Sequence, residues 1–73
     1  MTKAIAKRLA TLATRKGYDA TIRKQGHGDW TGSVWHPVTG FQLLTLESVR
    51  DAQWVDELPE IGGRGTLEDV TEL

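Results

Sequence analysis

The sequence predicts an α+β fold, a two-layer α-β-β-β-α domain with a three-stranded antiparallel sheet and a short C-terminal tail that is either flexible or docked. Two patterns and one size limit carry this reading. An Ala-rich N-terminal segment has helical periodicity, and three later segments alternate in polarity between short Gly-bearing turns. At 73 residues, the chain has room for one small core.

Ile5, Leu9 and Leu12 recur at helical spacing from Thr2 to Lys16, and Ala13 widens the stripe. Thr2 is a suitable N-cap, Arg15 and Lys16 suit the negative end of the helix dipole, and Gly17 is a natural stop. The spacing predicts a helix over 3–16. From Tyr18 to Gln25, Tyr18, Ala20 and Ile22 alternate with Asp19, Thr21 and Arg23, the period of a half-buried strand. Gly26-His27-Gly28-Asp29 breaks it. A second strand runs from Trp30 to His36, Pro37 and Gly40 turn the chain, and a third runs from Phe41 to Leu46. Neighbouring residues point to opposite faces, so Val34 and Trp35 cannot enter the same core, nor can Leu43 and Leu44. One face is therefore expected to pack on helices and the other to be unusually apolar.

Ser48-Val-Arg-Asp51 has capping-box form, opening a helix to about Leu58 with Val49, Ala52, Val55 and Trp54 on its apolar side. Pro59 ends it. Glu60-Ile-Gly-Gly-Arg-Gly65 reads as a flexible linker and Thr66 to Leu73 as one or two helical turns. The division is one α+β domain over 1–58, then a linker and acidic tail over 59–73.

Composition narrows the function classes. The chain has no Cys, so disulfides, thiolate nucleophiles and Cys-based zinc sites are excluded. No apolar run approaches the ~18 residues of a membrane span, which points to a cytoplasmic protein with no membrane partner. Charge is sorted by position: residues 1–36 sum to +5 and 37–73 to −6, within a net −1. The asymmetry bears on partners more than on fold. If the two helices pack side by side, much of it is satisfied internally.

Few residues carry chemistry. His27 lies in a Gly-flanked turn beside Asp29, with Arg23 and Lys24 just before it, the minimal equipment of a metal-independent ribonuclease. Surface turn residues have the same composition. His36 adds a second imidazole, but the spacing supports no metal site, and no cofactor is implied. Three Trp form the richest aromatic signal. Exposed Trp on a sheet suits base stacking or anchoring a protein. Trp54 is assigned to the core, and one of Trp30 and Trp35 is expected to be largely accessible. Arg23, Lys24, His27 and Trp30 form the nucleic-acid candidate, and Trp35 the candidate for a protein partner.

Residues 21–57 resemble the arm-type (AP2-like) DNA-binding domain of tyrosine integrases, with Trp30 opening the second strand, Gly40 at a turn, and Ser48, Ala52 and Trp54 in the helix. The resemblance implies a three-stranded DNA-reading sheet. Lys16-Gly-Tyr18 through Gly40 also resembles HicA-type ribonuclease toxins, whose catalytic His lies in the turn after the first strand; that likeness implies His27 as base. The expectation is a small non-enzymatic binding module of regulatory or accessory type that contacts nucleic acid through the first strand and its turn. A protein-binding inhibitor or adaptor, or the ribonuclease, is the alternative. Such a regulator suits a phage or mobile element. Host protein and nucleic acid both remain open as partners, and oligomeric state is undetermined.

Overall fold

The computed structural model describes residues 1–70. Its order is helix α1 (Lys3–Arg15), strands β1 (Asp19–Gln25), β2 (Asp29–Trp35) and β3 (Gln42–Leu46), a single 3₁₀ turn (Val49–Asp51), helix α2 (Ala52–Glu57) and strand β4 (Leu67–Val70). The strands form one sheet in the order β3-β2-β1-β4. The α+β class holds, but the sheet is four-stranded and mixed: β4 joins β1 in parallel, with Ala20 opposite Leu67 and Arg23 opposite Val70. The segment read as helical turns in a tail is therefore an edge strand. Thr71–Leu73 of that tail lie outside the described residues.

Local chemistry explains the first helix. The Thr2 hydroxyl accepts from the Ile5 amide, and Gly17 leaves the helix at φ 106°, a left-handed value that favours glycine. Its buried face is Ala6, Leu9, Ala10 and Ala13. Three alanines let the helix lie close on the sheet, with side chains from β1 and β2 filling the remaining space. Leu9 and Ala13 pack with Tyr18, Val34, Leu46 and Val55, while Ala6 and Ala10 pack with Ala20, Ile22 and Trp30. Val34 is buried and Trp35 is on the other face; Leu44 packs against the core while Leu43 is exposed near a bulge in the β2–β3 pairing.

Ser48 and Asp51 form the anticipated capping box, with the Asp51 carboxylate accepting from the Ser48 amide. The helix behind it is short. Ala52, Val55 and Leu58 face α1, which turns Trp54 about 100° away. Trp54 is 54% exposed, which corrects its expected place in the core.

The α1–β1 corner binds much of the chain after residue 51. Lys16 Nζ donates to the carbonyls of Val55 (3.0 Å), Asp56 (2.6 Å) and Leu58 (2.7 Å), capping α2 at its negative end. The Tyr18 hydroxyl donates to the Pro59 carbonyl, and the Ile61 and Gly65 amides donate to the carbonyls of Lys16 and Thr14. Asp19 Oδ1 then accepts from both the amide and the hydroxyl of Thr66, while the Ala20 amide donates to the Thr66 carbonyl. The stretch read as a flexible linker is thus a strap held at successive backbone positions. Gly65 is required there, because a β-carbon at that position would collide with the Tyr18 carbonyl.

Two substitutions test this corner. Lys16→Met should lower unfolding free energy by about 2 kcal/mol, the scale of a hydrogen-bonded charge, with Lys16→Arg closer to wild type, as read by urea denaturation. Gly65→Ala should lift β4 away, so hydrogen exchange at the Ala20 amide should accelerate while that at Val34 stays slow.

Candidate binding surface on the open face of the sheet

The helices cover only one face of the sheet. On that side, β1 contributes Ala20, Ile22 and Lys24 and β2 contributes Trp30, Gly32 and Val34. The opposite parity is uncovered. There Thr21, Arg23, Thr31, Ser33, Trp35 and Thr45 line a shallow concavity of about 420 Å³. Gln42 lies across it, its Nε2 donating to Thr45 Oγ1 at 2.9 Å and more weakly to Ser33 Oγ at 3.4 Å. Glu68 and Val70 of β4 border one side. The expected apolar outer face is therefore a hydroxyl- and amide-rich floor with one indole and one guanidinium.

The pleat also divides the predicted nucleic-acid patch. Arg23 shares the open face with Trp35, whereas Lys24 is register-paired with Trp30 on the helix side. Trp30 is only 7% exposed. It packs with Ala6, Ala10 and Ile22 beneath α1, with Lys3 Nζ 5.1 Å from its ring centroid and Lys3 also paired to Asp69 at 3.3 Å. Its assignment as a stacking surface is thus corrected: its parity with Gly32 and Val34 directs it into the core. Neither Trp30 nor Trp35 is largely accessible; Trp35 is half-buried, with its exposed part on the open face.

His27 is exposed at the tip of the β1–β2 hairpin. The Asp29 carboxylate, the expected partner of its ring, instead accepts from the Met1 ammonium, which also donates to the Trp30 carbonyl. Among the described residues, the His27 ring has no hydrogen-bond partner to orient it as a base. His36 serves the fold. Its Nδ1 accepts from the Val38 and Thr39 amides in the β2–β3 turn, and its ring meets Tyr18 edge-on at 6.3 Å. Among the described residues, no cluster of three or more His, Cys, Asp or Glu side chains is placed to hold a metal, and no helix is long and apolar enough to cross a membrane.

Among the described residues the charge split is not satisfied by ion pairs between the two halves beyond Lys3–Asp69. Among the described residues there are two ion pairs, Met1–Asp29 and Lys3–Asp69. Lys16 is bound by carbonyls rather than carboxylates. Lys7, Arg8, Arg15, Arg23 and Lys24 are exposed, with no carboxylate in ion-pair range among those residues.

Sequence reasoning missed the polar floor, Thr21, Thr31, Ser33, Gln42 and Thr45. Its signal was the alternation of Thr31 and Ser33 with Trp30, Gly32 and Val34. Comparison with protein-family models, curated proteins and solved structures returned no match.

The Met1 ammonium holds the Asp29 carboxyl below its ordinary range, first by its hydrogen bond and then by its charge; desolvation opposes this, and a backbone hydrogen bond at Trp30 adds a smaller lowering. A lowered folded-state pKa stabilises the fold above the unfolded value, near pH 4, and that contribution fades as pH falls through the folded pKa. Asp29→Asn should therefore melt below wild type at pH 6 and converge with it in acid. Melting curves from pH 2 to 7 check this.

Proposed function

We propose that this chain is a small non-enzymatic binding module that contacts single-stranded nucleic acid across the open sheet face and the adjoining hairpin tip. The observation carrying this reading is that Arg23 and the accessible part of Trp35 share an uncovered concave face floored by hydroxyl and amide groups. A guanidinium pairs with phosphate, an indole stacks on bases of any sequence, and Ser, Thr and Gln supply hydrogen bonds to base edges and sugars. Lys24 and His27, exposed at the hairpin end, extend the contact to a neighbouring phosphate. Trp35 takes the stacking role expected of Trp30. The likeness of residues 21–57 to arm-type integrase domains supports a sheet-borne nucleic-acid contact, and the regulatory or accessory role rests on that likeness.

A second reading is favoured by a different observation. Val38, Phe41 and Leu43 are exposed along the β2–β3 turn and the β3 edge, and apolar groups beside an edge strand suit a protein partner. That surface fits an inhibitor or adaptor role.

The two readings separate by experiment. Binding of a labelled single-stranded 15-mer should weaken with salt, and Arg23→Ala with Lys24→Ala should reduce the log–log salt slope by about 1.4, at roughly 0.7 per phosphate contact. Trp35→Ala should cost about 1–3 kcal/mol of binding, the scale of one stacked base. If neither variant changes affinity, the open face is not the nucleic-acid surface. For the protein reading, Phe41→Ser with Leu43→Ser should abolish capture of a stoichiometric partner that survives nuclease treatment, with oligonucleotide affinity unchanged.

A further inference from the structure

We infer that the solvent side of α1 is a second, separate phosphate-binding surface, suited to the backbone of duplex DNA. Lys7, Arg8 and Arg15 are exposed around a shallow groove on this helix that also includes Ala4, Thr11 and Leu12. None of the three cations has a carboxylate in ion-pair range among the described residues. They contrast with Lys3 and Lys16 at the ends of the same helix, the first held by Asp69 and the Trp30 ring and the second by three carbonyls. The fold thus uses the terminal lysines and leaves these three cations unpaired among the described residues.

Charge complementarity identifies the occupant. Arg15 lies eight positions after Lys7, so the cations are spread over about 12 Å of a rigid helix at 1.5 Å per residue. Fixed spacing suits the regularly placed phosphates of a duplex, which bring a condensed counterion atmosphere whose release drives binding. Insertion into a lipid surface needs a broad apolar helix face. Here Ala6, Leu9, Ala10 and Ala13 are buried against the sheet, and Leu12 is the one large apolar residue in the groove.

The inference extends the nucleic-acid reading to the opposite layer of the domain, and either can fail alone. The probe is a fluorescein-labelled duplex DNA of about 20 base pairs, titrated across roughly 50–300 mM NaCl beside the single-stranded oligonucleotide. Lys7→Gln, Arg8→Gln and Arg15→Gln combined should reduce the duplex salt slope by about 2.7, at roughly 0.9 per contact, while single-strand affinity is unchanged. Lys7→Arg, Arg8→Lys and Arg15→Lys combined should retain duplex binding, which separates charge from folding. Duplex binding unaltered by the neutralised variant, or absent while the single strand binds, overturns this inference and leaves the sheet-face reading standing. Equal loss on both probes overturns the separateness of the two surfaces. Binding to phosphatidylserine vesicles without duplex binding also overturns it. Failure of wild type to bind either probe overturns both readings.

Discussion

The short corner from Thr14 to Asp19 is the constraint on which the rest of the structure depends. It is a helix end, a turn and a strand start, and its side chains engage parts of the chain far beyond it in sequence. The Lys16 ammonium terminates α2, Tyr18 receives the chain as it leaves that helix, and Asp19 starts the fourth strand. These contacts are mainly polar and directional. Apolar packing of α1 on β1 and β2 fixes the two layers; the corner determines where the second half of the chain runs over them. A domain this small buries a modest share of its surface, so directional contacts of this kind have a larger role than in a bigger core.

The positions of functional groups follow from parity and register. One residue of difference sends Arg23 to the open face and Lys24 to the helix side, and it separates Trp35 from Val34. Groups adjacent in sequence therefore leave the sheet on opposite faces. The exposed cations on α1 lie on the solvent side of the helical layer and Arg23 on the opposite, open face of the sheet, so the basic half of the sequence is divided between two surfaces instead of forming one patch.

Much of the scaffold was legible because its signals are local. Thr2 and Gly17 delimit the first helix, alternation from Tyr18 and from Trp30 marks two strands, and Ser48 with Asp51 opens the second helical segment. The fourth strand was not legible. Leu67 and Val70 are spaced as on a helix turn, and nothing nearby reveals that the segment pairs with residues near Asp19. The position of Trp54 likewise depended on which side of a six-residue helix met α1. Within the site, the alternation of Thr31 and Ser33 with Trp30, Gly32 and Val34 marks the open parity and with it the burial of Trp30, whereas the number of Trp residues carries no information on which face each ring takes.

The parallel pairing of β1 with β4 has a kinetic meaning. Asp19 and Thr66 are 47 residues apart, whereas β1, β2 and β3 are joined by short antiparallel connections. Closing the longest loop costs the most chain entropy before any contact rewards it. On loop-closure entropy the antiparallel meander of β1, β2 and β3 is the cheaper part of the sheet to assemble and the β1–β4 pairing the costlier. Glu68 and Val70, which border the polar concavity, belong to that long-range pairing. One wall of that concavity, and the carboxylate on it, are consequently held by the strand pairing that has the longest loop to close.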